Sequence, residues 1–439
     1  MSILDRLNVY YEQFVLGIID VHDDGHLTFA YDPRWLATTG NFPLSVTLPL
    51  TDVTYPDAVI TPWLANLLPE EQQLLTLSRA LGLSSTDTLA ILKVIGGDTA
   101  GAISIGEPSD RSQWAYQTLT AQYGTDNAED ALSAHFNDLG QRPFMVGEDG
   151  VRQSLAGGQK KTALAVVGPD GRPKLGLMTE GDRLAVPKRG APSTIIIKPD
   201  NPNLPGIVEN EAYCLTLANL IGLPVVKVGI AKAGNRTALA VARYDRDTRK
   251  DGSLRRLHQE DFAQANGRYP SQKYEQGTVP GLDMTALLTT ARHLPAKDAL
   301  ILQDQVIYNI LVANTDAHAK NYSLLLSGSP RMAPLYDVST VLHWDHVNQY
   351  HAQRLGGRKR KPADMARRHW DRIADAAGFN AVGLRVRVQE LVDAMVATRV
   401  VATRAIADQA GTSVTMVEHA AELIEQNALR IAGRLKEQR

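Results

Sequence analysis

Asp316 and Asn321 stand five residues apart in a polar turn, and a second acid, Asp337, follows sixteen residues after the amide. The apolar Val306, Ile307, Ile310 and Leu311 precede the turn, and residues 323–326 follow it. An acid, an amide at +5 and a later acid suit phosphoryl transfer. The first carboxylate can orient an attacking hydroxyl and take its proton. The amide and the second carboxylate can hold Mg²⁺, a hard cation that needs few protein oxygens when nucleotide phosphates supply the rest. Asp and Asn also populate turns, where their side chains mimic backbone hydrogen bonding, so the pair by itself is ordinary turn chemistry.

Other stretches bear on the same chemistry. The small-residue loop Ser154-Leu155-Ala156-Gly157-Gly158-Gln159, with Lys160, Lys161 and Thr162 after it, enters the apolar residues 163–167. Such a loop can lay backbone N–H groups against phosphate oxygens. It lacks both the G-x4-G-K-[ST] and the G-x-G-x-x-G spacing, and a Gly-Gly turn between strands is also just a turn. Lys198 ends the β-branched run 193–197, where kinases place the lysine that holds the α- and β-phosphates. The alternative is a solvated lysine at a strand end. Asn210-Glu211 opens an amphipathic helix that Gly222 ends. Glu211 reads either as the acidic partner of Lys198 or as a first-turn acid complementing the helix dipole. His318 and Lys320 lie inside the Asp316–Asn321 turn, where Lys320 either steadies phosphate charge or is solvated.

The elements that must position these residues follow from periodicity. Residues 15–21 and 27–31 read as a hairpin across His22-Asp23-Asp24-Gly25. From Trp63 the pattern turns helical, with Gly82 as a C-cap and a further helix opened by residues 84–87. Residues 100–105 are a strand. This makes a small α+β unit, residues 1–110. Residues 126–139 are a helix. Residues 174–178, 225–231 and 238–241 add strands, and after Val241 the chain is expected to be helical throughout. That gives a two-lobed layout, a β-rich N-lobe at 140–245 and an all-helical C-lobe at 246–439. Adenine would meet the backbone of Ala242, Arg243 and Tyr244 at the crossover. Two long helices, 381–409 and 414–436, close the chain.

Net charge is −2 over 439 residues, so no global field draws the chain to nucleic acid or anionic membrane. One cysteine, Cys214, excludes an internal disulfide and a cysteine-rich zinc site and fits a reducing compartment. The first residues lack a signal-peptide pattern, and no apolar run approaches the ~20 residues of a membrane helix. A cytoplasmic protein that does not engage membrane is expected. One basic cluster stands out: Arg354, Arg358, Lys359, Arg360, Lys361, Arg367 and Arg368, with Asp364 the only acid in that span. It reads either as a phosphate-contacting loop or as a solvated one.

Together, and in order, these blocks resemble the HipA family of serine/threonine kinase toxins of bacterial toxin–antitoxin pairs. The resemblance covers nearly the whole chain. It is carried by Leu67-Leu68-Pro69-Glu70, Ile95-Gly96-Gly97-Asp98 with Gly101-Ala102, the 154–159 loop, Ile197-Lys198-Pro199 and Asn210-Glu211. Arg243-Tyr244-Asp245-Arg246, Gln259-Glu260-Asp261-Phe262, Lys273-Tyr274-Glu275, Asn314 to Asn321 and Tyr336-Asp337-Val338 complete it. The resemblance implies that Asp316 is the catalytic base and that Asn321 and Asp337 bind Mg²⁺. It implies an ATP site made of Lys198, the 154–159 loop, residues 242–244, His318, Lys320, Asn321 and Asp337. Ser154 matches the serine that family members phosphorylate on themselves to switch off. The implied protein substrate is an aminoacyl-tRNA synthetase. The implied partner is a HipB-like helix-turn-helix antitoxin that carries the complex to operator DNA. Asn314-Thr315-Asp316 stands where ordinary kinases have H-R-D, Asp337-Val338-Ser339 stands for D-F-G, and no A-P-E segment is present.

Two other functions are compatible with parts of the chain. Asp316, His318 and Asp337 suit a metal-dependent phosphohydrolase, which leaves Lys198 and the Ser154 loop without a role. The basic cluster suits a non-catalytic DNA-associated corepressor, which leaves Asp316, Asn321 and Asp337 unexplained.

Overall fold

The computed structural model describes residues 2–437. The hairpin pattern becomes a five-stranded antiparallel sheet in the order Thr54–Tyr55, Leu27–Tyr31, Phe14–His22, Ile3–Tyr11, Ile103–Ile105. Leu27–Tyr31 alternates buried and half-buried positions, as a strand with one face on a core must. The helices Asp57–Ala65, Glu71–Leu81 and Thr88–Ile95 give Ile60, Trp63, Leu64, Leu77, Ile91 and Leu92 to the same core. Asp87 caps the third helix through Ala90 N at 3.0 Å. Gly82, at φ 67°, ends the second.

A seven-stranded sheet follows. Its main path runs Val228–Ala233, Arg236–Ala242, Ile195–Pro199, Thr162–Val167, Arg183–Lys188, Ala115–Thr118. Strand periodicity sorts its faces. Ile195 and Ile197 enter a core shared with the helix Ala128–Leu139. Ile196 faces the opposite way, and Lys198 shares its parity. That opposite side meets the helix Ile207–Leu220 and the largest core, built with Ala296–Leu311, Ala381–Ala407 and Val414–Leu435.

The architecture is α+β with a kinase-like two-part core after the first unit. Several local expectations are corrected. The chain is not helical throughout after Val241. Gln259–Asp261, Ser323–Leu325 and Arg331–Met332 make a three-stranded sheet, and Arg246–Thr248 pairs with Leu254–Arg256. These strands are too short to show alternation. The strand Arg183–Lys188 is an element without a sequence-based expectation. Its proline lies where the strand pairs with the edge strand Ala115–Thr118. Helix begins at Asp57, with Pro62 inside it, not at Trp63. The helix expected from Asn210 starts at Ile207.

A buried polar seam joins the first unit to the rest. The Asp98 carboxylate takes Arg246 Nη2 at 2.8 Å, Arg256 Nε at 3.0 Å and Ser193 Oγ at 2.5 Å. Asp245 returns the link by accepting Gly101 N at 2.7 Å. Three guanidinium groups near one buried carboxylate hold it well below the usual range against the burial that opposes its charge. Among the described residues, no helix is long and apolar enough to cross a membrane.

Candidate active site

Lys198, at the end of its strand, projects into a cleft of about 470 Å³ between the seven-stranded sheet and the helical part. Its Nζ lies 2.7 Å from Glu211 Oε1 and 2.5 Å from Asp337 Oδ1. Glu211 is in the second turn of Ile207–Leu220, and Glu209 is the first-turn acid, so the structure resolves the open choice in favour of the lysine partner. Burial opposes charge on all three groups. Lys198, then Lys161, nevertheless hold Asp337 well below the carboxylate range. Burial pushes Glu211 up to about 7 against the pull of Lys198. Asp337 has φ 58°, a left-handed conformation rarely held by a non-glycine residue. Asn321 Nδ2 lies 3.3 Å from Asp337 O and 3.4 Å from its Oδ2, which leaves the amide oxygen of Asn321 as an acceptor.

Asp316 is exposed at the mouth of the cleft, where its Oδ1 accepts the Tyr274 phenol. His318 is buried edge-to-face against Tyr274, with Nδ1 unpartnered, and burial lowers its pKa. Lys320 is not solvated. Its Nζ lies 2.7 Å from Asn66 Oδ1, 3.0 Å from Asp261 Oδ2 and 3.6 Å from Glu70 Oε1. Glu70 Oε2 in turn accepts Lys273 Nζ at 2.6 Å. The first unit therefore reaches the turn through Asn66 and Glu70, neither of which is among the expected site residues.

The small-residue loop lies against the same unit. Ser154 is fully buried and donates its hydroxyl to Leu67 O at 2.6 Å, while its N–H donates to Asp98 O at 3.1 Å. Glu70 N donates to Gly157 O at 3.2 Å, and Gln73 Nε2 to Gly158 O at 2.7 Å. Gly157 sits at φ 101°, a backbone conformation that side-chain-bearing residues rarely adopt, with Lys161 Nζ 2.9 Å from where a Cβ would stand. Leu155, Ala156, Gly157, Gly158 and Gln159 line the cleft with Lys161. Burial lowers Lys161 to about 8.

Ala242, Arg243 and Tyr244 also line the cleft. Ala242 N and Arg243 N already donate to Lys227 O and Thr194 O at 2.9 and 3.0 Å. The Arg243 side chain turns away into the seam, 2.6 Å from Asp245 Oδ2. Tyr244 stacks on Tyr336 at 5.6 Å.

The donor set fits Mg²⁺ with a nucleotide. Asp337 and Asn321 offer oxygens beside Lys198 and Lys161, and phosphates complete such a shell. Among the described residues, no group of three or more His, Cys, Asp or Glu side chains could hold a metal ion by itself. Asp316, His318 and Asp337 thus do not form the protein-ligated centre that the hydrolase alternative takes. Sequence reading singled out Asp316, Asn321, Asp337, Lys198 and the loop. It missed Lys161, Lys273 and Tyr274 as site residues, although each stood inside a quoted block.

A buried Lys–Glu–Asp constellation under a two-part, kinase-like core defines a phosphotransferase of the kinase class. The HipA N-terminal domain family matches residues 7–106, and the HipA-like C-terminal domain family matches residues 153–402. The chain belongs to the HipA family, whose serine/threonine protein kinase class it shares. A Sinorhizobium fredii protein described as a kinase, Y4mE, is 36% identical over 389 residues, 88% of this chain and 89% of that protein. The serine/threonine-protein kinase toxin HipA of Shewanella oneidensis is 31% identical over 339 residues, 73% of this chain and 72% of that protein. In fold, the chain is similar to Shewanella oneidensis HipA in a solved complex with HipB and its operator DNA. The TM-score is 0.77 at 23% identity, with 97% of each chain covered.

Proposed function

We propose that the chain is an ATP- and Mg²⁺-dependent serine/threonine kinase acting as the toxin of a toxin–antitoxin pair. The observation that carries this reading is the Lys198–Glu211–Asp337 contact, in one cleft with Asp316 and Asn321. Bound Mg-ATP supplies the transferable phosphoryl group and the cation that neutralises its charge. Lys198, steadied by Glu211, and Lys161 hold phosphate oxygens. Asn321 and Asp337 hold the cation. The 154–159 loop covers the phosphates, residues 242–244 face adenine, and His318 and Lys320 brace the turn. Asp316 takes the proton from the acceptor hydroxyl, with Tyr274 fixing its orientation. Ser154 is the self-phosphorylation site. Residues 1–110, 140–245 and 246–439 are the working units of this scheme.

The substrate class implied by family resemblance is an aminoacyl-tRNA synthetase, which puts the enzyme in the cytoplasm. The partner is a HipB-like helix-turn-helix antitoxin, through which the complex meets operator DNA. Support for the partnership is the likeness in fold to a HipA solved with HipB and operator DNA. The test is intact-mass spectrometry of phosphatase-treated wild type, Asp316→Asn and Ser154→Ala after incubation with Mg-ATP. One added phosphate on wild type alone, mapped to Ser154, is expected. Wild type that binds ATP and gains no phosphate overturns self-inactivation at Ser154. Absence of ATP binding overturns the kinase reading.

A further inference from the structure

The basic cluster is not a loose loop. Residues 348–361 contain five Lys or Arg and no Asp or Glu. They fold into a hairpin closed by the Leu355–Arg358 bridge, with Gly356 and Gly357 at positive φ in its turn. His351 N donates to Arg360 O at 3.1 Å, and Arg360 Nε to Leu355 O at 3.0 Å. The hairpin is tied to the acceptor side of the cleft at two points flanking Asp316. Thr315 Oγ1 donates to Asn348 O at 2.8 Å. Glu275, next to the Tyr274 that holds Asp316, accepts Arg354 N at 2.6 Å.

The charge on this hairpin is largely uncompensated. Glu275 lies 3.5 Å from Arg354 Nε. No carboxylate lies within ion-pair distance of Arg358, Lys359 or Lys361 among the described residues, and all three are exposed. Lys359 and Lys361 lie 4.9 and 5.9 Å from the half-exposed Tyr350 ring. Burial holds Arg360 below the usual guanidinium range, and the neighbouring Arg358, Arg368 and Arg372 add to the shift. An ordered cationic surface costs self-repulsion unless an anion covers it.

We propose that this hairpin docks an acidic segment of the phosphoacceptor protein and so selects serines or threonines flanked by Asp and Glu. The proposal rests on the kinase reading of the cleft. Position favours protein over nucleic acid as the occupant. The hairpin is tied to the residues on either side of the carboxylate that would meet the acceptor hydroxyl, so a segment presenting that hydroxyl comes close to it. Charge complementarity of this kind gives selectivity and on-rate more than raw affinity.

The test uses the full chain and its Arg358→Glu/Lys359→Glu/Lys361→Glu variant, with fluorescein-labelled serine peptides flanked by acidic, neutral or lysine residues. Anisotropy at low salt is expected to give wild type a preference for the acidic peptide that the variant loses by about 10-fold, as three exposed ion pairs would. Added salt should erase the preference. Affinity for a fluorescent ATP analogue should be equal in the two proteins. Equal peptide affinities in wild type and variant overturn the proposal. So does a variant that keeps the acidic preference but loses binding of a short DNA duplex, which would make the surface a nucleic-acid contact. Self-phosphorylation is followed in the same samples, so loss of the kinase reading registers separately as wild type that neither binds ATP nor gains phosphate.

Discussion

Ser154 donates its hydroxyl to the main-chain oxygen of Leu67 at 2.6 Å, so the small-residue loop is fastened to the first unit through the residue proposed to receive phosphate. Both partners are buried. A phosphate of about −1.5 to −2 charge has no place there, and it would also repel the nucleotide phosphates the loop covers. Phosphorylation should therefore release the loop. Hydrogen exchange across residues 153–160 is expected to accelerate at least about tenfold in the phosphorylated protein, with ATP affinity falling in parallel. Unchanged exchange would contradict this. Ser154→Ala should keep the fold at a cost of about 1–2 kcal/mol, because Leu67 O loses its donor.

Asp316 and Asp337 should fail in different ways. Asp316 is exposed and touches Tyr274, not Lys198. Asp316→Asn removes the base and is expected to slow phosphate transfer by about 10²–10⁴-fold while ATP affinity changes little. Asp337→Asn removes a carboxylate 2.5 Å from Lys198 and the proposed cation ligand. It should weaken Mg-ATP binding itself. Calorimetric titration with Mg-ATP, paired with phosphate-transfer rates, separates the two. Equal losses of affinity would refute the division of roles.

The two long C-terminal helices were legible because amphipathic period and length agree over many turns; Ala381–Ala407 and Val414–Leu435 lie within a few residues of expectation. That Asp316, Asn321 and Asp337 line one cleft was legible because their spacing is local. Glu70 and Asn66 were not. They meet Lys273 and Lys320 across 203 and 254 residues of chain, and nothing at either end marks the pairing. Lys161 hid behind two glycines whose pattern matched no phosphate loop. The three-residue strands around Gln259–Asp261 carry no period to read, and tertiary pairing alone makes them strands.

Lys161 gives the site a pH signature. Burial lowers its free-state pKa to about 8. Phosphate oxygens favour the ammonium form, so the pKa rises when ATP binds. The sign follows: at pH 8 binding takes up about half a proton, and affinity falls as pH climbs further. Calorimetry in buffers of different ionisation enthalpy measures the uptake. It should vanish in Lys161→Met. Proton release, or uptake that persists in the variant, would count against the assignment.

Glu70 tests whether the first unit is part of the catalytic machinery or only attached to it. Its carboxylate lies between Lys273 and Lys320, and although burial opposes its charge, Lys320 and then Lys273 hold it below the usual range. Glu70→Gln keeps the shape but turns an amide toward two buried ammonium groups. Lys320 retains Asp261 at 3.0 Å, whereas the carboxylate left within ion-pair distance of Lys273 among the described residues is Glu71 at 3.7 Å. Lys273 should therefore move most, and it precedes the Tyr274 that orients Asp316. A stability loss of about 3 kcal/mol is expected, read as a lower Tm. If Glu70 acts through that chain, kcat should fall while KM for ATP stays near wild type, and Glu70→Asp should restore part of kcat. A lower Tm with unchanged kcat would make the residue packing alone.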